Sequence, residues 1–317
     1  MVMLYLVMQH TMFFMIPLII VALGGLFSER SGIVNIALEG KMIMGAFTGI
    51  LFISTFQDRM YGQPLLLIAL IIAAVTGIVV SFFHAYASIN MNANQIISGV
   101  AINMFAPAFA VYTARMIGGV QQIHFTDTFR ITSVPFLGEI PLIGPMFFQG
   151  TYITTYIGIG ILLISTFVLY KTKFGLRLRA CGEHPHAADS VGISVSKMRY
   201  AGVLISGGLA GLGGIILIVP TSIAFNASVS GFGFLALAVL IFGGWRPMKI
   251  LFAAFFFGIM NAIAASYSGI DFLRELDIPA HFYMAAPYVA TLVVLAFTSK
   301  NTMAPKAAGQ PYDKGGR

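Results

Sequence analysis

The chain has 317 residues, 58% of them hydrophobic and 9% charged, against about 25% charged in an average soluble protein, so it cannot cover a water-soluble globule. Its 13% aromatic content excludes intrinsic disorder, and a single cysteine, Cys181, excludes a disulfide scaffold. The net charge of +7, in a chain of mean hydropathy +0.90, reports membrane orientation and headgroup contact rather than nucleic-acid binding.

An all-α polytopic membrane protein follows, because the apolar runs are continuous rather than the short alternating segments of a β-barrel. Spans are expected near 4–27, 33–56, 65–89, 94–117, 151–170, 199–219, 231–245, 248–268 and 283–299. That makes about nine crossings, within a range of about eight to ten. The first run has no basic residue before it and so reads as a retained helix rather than a cleavable signal.

Between the first two spans lies Ser28-Glu-Arg-Ser-Gly-Ile-Val-Asn-Ile-Ala-Leu-Glu-Gly-Lys41. Asn35 and Glu39 are four apart and share a helix face. A carboxylate at this depth must face the bundle interior. Lys41 points elsewhere, and the pair is expected to bond loop backbone where the chain re-enters the membrane rather than to contact substrate.

At the fourth span, Asn92-Ala-Asn-Gln-Ile-Ile-Ser-Gly-Val-Ala-Ile-Asn103 puts Gln95, Gly99 and Asn103 on one face. Asn103 falls about 13 Å into its span. There an amide either bridges helices or lines a watered path, and Asn261 in the eighth span has the same two readings. Gln95 belongs with them as a candidate for the translocation path.

Residues 118–150, with three prolines, are expected to form a capped external loop with short helices. Residues 171–198 form a basic loop holding Glu183-His-Pro-His-Ala-Ala-Asp-Ser-Val-Gly192. Pro185 suits the first turn of a short helix and Gly192 its left-handed stop. From composition alone, this helix rests on headgroups or meets a soluble partner. In the sixth span the pairs Gly207/Gly211 and Ala210/Gly214 permit close helix packing. The seventh span is short and glycine-rich, as a broken or half-crossing helix is. Residues 1–299 make one permease domain, and the tail 300–317 is expected to be disordered.

With nine spans, thirteen of the 18 basic residues fall on one side, including Arg30, six in 171–199, Arg246, Lys249 and four in the tail. Arg59, Arg115, Arg130 and Arg274 fall on the other. The positive-inside rule puts the first group in the cytoplasm, with the N-terminus outside and the C-terminus cytoplasmic. Walker A, zinc-protease and serine-hydrolase motifs are absent from the sequence, and the pair His184 and His186 is too few ligands for a metal.

The blocks 28–40, 95–103, 174–188, 206–214, 230–238 and 241–247 resemble, in family order, the permeases of bacterial nucleoside-type ABC importers. These belong to the wider branched-chain amino acid and ribose permease family, and the chain is similar to the shorter of two paired permeases. The resemblance implies a coupling helix at Glu183–Gly192. Ala187, Ala188 and Val191 would form a close-fitting face, and Glu183 and Asp189 would meet basic groups on an ATPase.

It further implies a second related permease in a heterodimer, a cytoplasmic ABC ATPase that binds ATP and Mg, and an extracytoplasmic substrate-binding lipoprotein. No cofactor is expected on this chain, and no covalent chemistry. The substrate implied is a nucleoside, purine nucleosides first, with simple sugars or branched-chain amino acids as alternatives. The site of action implied is the bacterial cytoplasmic membrane. Lys41, His184, His186, Gly244 and Arg246 depart from the residues usual in such permeases. A standalone secondary transporter is the competing class, with only Glu39 and Lys41 to couple an ion. An intramembrane enzyme would need a nucleophile–base pair, and the sequence offers none.

Overall fold

A computed structural model describes residues 2–126, 129–270, 275, 279–298 and 304–313. Arg274, Lys300, Lys314 and Arg317 of the charge pattern lie outside them. In chain order the helices are α1 (Val2–Arg30), α2 (Leu38–Phe56), α3 (Gln63–Ile89), α4 (Gln95–Gly118), α5 (Ile153–Lys171), α6 (Lys173–Glu183), α7 (Pro185–Ser190), α8 (Val195–Thr221), α9 (Phe232–Phe242), α10 (Pro247–Ser266) and α11 (Ala280–Thr298).

Each expected span contains a helix. Among the described residues, six of these helices (α1, α3, α4, α5, α8 and α10) are long and apolar enough to cross a membrane. The 11 residues of α9 reach only about 16 Å, half of a hydrocarbon core.

Local signals place the boundaries. Asn94 caps α4 by accepting from the amides of Ile96 and Ile97, and Gly119 closes it in the left-handed conformation. Prolines occupy the first turns of α3, α7 and α10. Three boundaries differ from the sequence reading. The second span begins at Leu38, because residues 31–37 enter as non-helical chain. The basic loop contains an additional amphipathic helix, α6, capped by Thr172. The tail is not free: residues 304–313 pack back on the body, with the Ala307 amide donating to the Gly182 carbonyl (2.9 Å) and the Gly309 amide to Gly32 (3.2 Å).

Helices α1 and α8 run through the centre, buried over most of their length, while α4 is largely exposed at the rim. The glycine stripe of α8 permits this. A Cβ on Gly207 would overlap Ser81 and the Gly77 backbone, one on Gly211 the Ala73 carbonyl, and one on Gly214 the Met42 carbonyl. Ala210 is fully buried beside them.

The stretch 118–150 holds β1 (Ile123–His124), β2 (Ile131–Ser133), β3 (Gln149–Thr151) and two short helical turns. There β2 pairs with β3, and β1 pairs antiparallel with β4 (Ala224–Phe225), Ile123 opposite Phe225. At that same end Gln9 donates to the Pro145 carbonyl, and Gln63 to that of Phe129. The other end gathers Arg30, Glu183 and Trp245.

Candidate functional site

The segment 31–40 is held from four sides by side chains that the sequence scatters over the chain. The Gln95 Oε1 accepts from the Val34 amide (2.7 Å). Asn103 accepts from the Gly40 amide (2.7 Å) and donates to the Ile36 carbonyl (2.9 Å). Asn35 donates to the Ser206 hydroxyl and accepts from the Lys41 amine, both near 2.8 Å. His84 Nε2 donates to the Val34 carbonyl at 3.3 Å, while Nδ1 meets the Ser98 hydroxyl. Each satisfies a polar group that would be costly to leave bare in the membrane.

Glu39 completes this frame. Its two oxygens accept from the amides of Gly231 (2.9 Å), the N-cap of α9, and Gly233 (2.6 Å) in its first turn. Glu39 itself stands in the first turn of α2. Two helix N-termini, each with a partial positive charge, therefore share one carboxylate. Only glycine fits at 233, where a Cβ would overlap the Glu39 backbone. Two discontinuous helices meeting inside the bundle is the arrangement from which many transporters build their path.

A second constellation lies at the basic end. The Glu29 carboxylate accepts from the indole N–H of Trp245. Arg30 donates to the Trp245 carbonyl (3.0 Å) and pairs with Glu183 (3.3 Å). Two sequence motifs far apart in the chain, Ser-Glu-Arg-Ser and Gly-Gly-Trp-Arg-Pro, thus meet at the base of the α6–α7 corner. Trp245 holds a left-handed φ of +53° to do so, a strained conformation that packing must enforce.

From that corner α7 projects. Gly192, at φ +81°, stops it as the sequence requires. Ala187 and Val191 are exposed, Val191 at 73%, but Ala188 is 3% exposed and packs with Cys181 and Val195 beneath the helix. Of the expected close-fitting face, Ala187 and Val191 stand outward while Ala188 turns inward as an anchor, because six residues make under two turns. Glu183 is likewise engaged by Arg30. Tyr312 of the tail packs at a tilt against His186 (5.1 Å), with the buried Arg199 guanidinium over its ring (5.8 Å) and its hydroxyl bonded to Asp189. Burial raises the Cys181 thiol pKa, against a smaller lowering by Arg199.

A cavity of about 440 Å³ opens beside the start of α9, between the ends of α8 and α10. Asn261 lines it, with Asn226, Tyr288, Phe14 and Phe232.

Residues 7–297 match the family described as branched-chain amino acid transport system / permease component. The chain belongs to that family. It is 44% identical to the guanosine ABC transporter permease protein NupQ of Bacillus subtilis, over 98% of this chain and 97% of that one. It is 39% identical to the nucleoside ABC transporter permease protein NupC of Lactococcus lactis, over 98% of both. The guanosine ABC transporter permease protein NupP, also of Bacillus subtilis, is 28% identical over 76% of this chain and 69% of its own length. With its apolar helices, this permease is a multi-pass integral protein of the plasma membrane.

Among the sequence candidates, Asn35, Glu39, Gln95 and Asn103 converge on the segment 31–40, whereas Asn261 stands apart at the cavity. Sequence reasoning missed His84, Ser206 and Trp245 of the permease. His84 carries no signal apart from being a polar residue within an apolar helix, whereas Ser206 opens the block 206–214. Trp245 is the chain's lone tryptophan, and that was a usable signal.

Proposed function

We propose that this chain is the membrane-spanning permease subunit of an ATP-driven nucleoside importer in the bacterial plasma membrane, with purine nucleosides as first substrates. The observation that carries the reading is the end-to-end 44% identity to a guanosine ABC transporter permease protein. In Bacillus subtilis and in Lactococcus lactis, two permeases with matching descriptions are both similar to this chain. A heterodimer with a second, related permease is therefore proposed.

ATP and Mg belong to a separate cytoplasmic ATPase, and an extracytoplasmic lipoprotein delivers the nucleoside; this subunit does no covalent chemistry. The proposed topology has nine membrane-entering helices, the end bearing Arg30, α6 and α7 facing the cytoplasm, and the end bearing β1 and β4 facing outward. ATPase movement enters at α7, reaches Arg30 through Glu183, and passes through Trp245 to α9. Rocking of the two permeases then opens the path alternately to each side.

The test is uptake by proteoliposomes holding both permeases, the ATPase and the binding protein. ATP-dependent entry of labelled guanosine, unaffected by excess leucine, is expected. Uptake of leucine with no uptake of guanosine overturns the reading.

A further inference from the structure

The cavity at the start of α9 is built for a ligand of one kind. None of the described residues lining it carries a charge. A carboxylate entering it would leave water, meet no opposite charge in the lining and lie near the Glu39 carboxylate, which is costly. Its polar groups are amides and hydroxyls instead. Asn261 uses one N–H on the Phe257 carbonyl (2.8 Å), which leaves its second N–H and its carbonyl oxygen for a ligand. Tyr288 donates to the Ser230 carbonyl (2.9 Å), so its hydroxyl oxygen remains an acceptor. An amide offers both a donor and an acceptor, the pattern that matches the edge of a nucleobase.

The walls add aromatic surface. Phe14 and Phe232 lie 5.9 Å apart, their planes tilted by 32°, and both border the cavity. A volume near 440 Å³ is within the roughly 300–1,000 Å³ typical of small-molecule sites. The loop that forms one wall is also strained: Ala227 and Ser230 hold left-handed φ values of +58° and +53°. Non-glycine residues keep such angles only where the surroundings impose them.

We infer that this cavity is the permease's own substrate-binding site, that it selects uncharged ring-bearing polyols such as nucleosides, and that Asn261 is its specificity-determining residue. This rests on the importer reading above and sharpens it: the lining offers no partner for an amino acid's carboxylate, and sugars lose the stacking that a base would gain from the partly exposed Phe14 ring.

The test uses the full complex in proteoliposomes with labelled guanosine, glucose and leucine as probes. Asn261→Ala should raise the KM for guanosine about tenfold, the size of one lost buried hydrogen bond, while hydrolysis stimulated by the binding protein persists. A second variant needs no change of a polar group. Ala265 is exposed on the cavity wall, so A265C in a C181S background places one accessible thiol there. Alkylation of that thiol by a bulky maleimide should abolish uptake, and guanosine should slow the alkylation.

Full uptake after complete alkylation, with guanosine giving no protection, overturns the cavity assignment and leaves the importer reading intact. If the unmodified complex carries glucose and not guanosine, and alkylation blocks it, the nucleoside reading falls and the uncharged-ligand site stands. If it carries leucine alone, both fall.

Discussion

Trp245 is bonded to the end of α1 twice, its indole N–H to the Glu29 carboxylate and its carbonyl to Arg30. Arg30 is the branch point, because its guanidinium also reaches Glu183 at 3.3 Å. A lysine keeps the charge, but its donors sit on one nitrogen and cannot span the two acceptors that the separate guanidinium nitrogens of Arg30 reach. Arg30→Lys should therefore leave a folded complex whose stimulated ATP hydrolysis continues while uptake falls several-fold. Parallel measurement of hydrolysis and uptake checks it. A proportional fall in both would mean that Arg30 supports only the fold.

The α7 substitutions divide by which way the side chain points. Ala187→Arg and Val191→Arg fall on exposed positions and should leave the permease dimeric but detached from its ATPase. Ala188→Arg buries a guanidinium against Cys181 and Val195, and should lower the yield of folded permease before coupling can be assayed. Size-exclusion profiles with and without the ATPase separate the two behaviours.

Asn103→Leu removes partners from the Gly40 amide and the Ile36 carbonyl together. Each buried backbone group left bare costs about 1–3 kcal/mol, so the yield of detergent-stable complex should drop sharply. Asn103→Asp keeps the acceptor for Gly40 and should be intermediate. A variant with full yield and reduced uptake would assign Asn103 to the path instead of the frame.

Glu39→Gln replaces one acceptor oxygen with a donor opposite an amide that also donates. Loss of a charge-assisted bond, about 1.5–3 kcal/mol, should lower the midpoint of thermal unfolding in detergent. The order of preference among nucleosides should not change. Competition uptake with unlabelled nucleosides reads that order.

Cys181 is buried beneath α7, where the tail crosses, and burial raises its pKa. The thiolate is the reactive form, so alkylation should be slow at neutral pH and accelerate as pH rises above the usual thiol range. Ending the chain at Ala304 removes Tyr312 and Ala307 from this site and should raise the rate at every pH. Mass spectrometry of a time course measures it. Equal rates in both chains would mean that the tail does not cover the thiol.

Much of the architecture was legible because apolar run length is a direct consequence of bilayer thickness. The position of α7 was legible too, since Pro185 and Gly192 are local punctuation. Burial around a helix of under two turns was not. Ala188 and Val191 are both small and apolar, and only the packing of Val195 and Cys181 distinguishes them. The partners of Glu39 were equally out of reach, because they are backbone amides nearly two hundred residues away and carry no residue signature. The composition of the tail suggested freedom, yet Ala307 and Gly309 dock through main-chain atoms that composition does not describe.

The two-residue pairing of β1 with β4 has a mechanical meaning. Phe225, opposite Ile123 in that ladder, is six residues before Gly231, whose amide is held by Glu39. The loop carrying β1 is thus stitched to the same short tether that ends on α9. The pairing at one end and the Glu39 hydrogen bond at the other fix both ends of that tether, so a displacement of the β1 loop has a short backbone route to the start of α9.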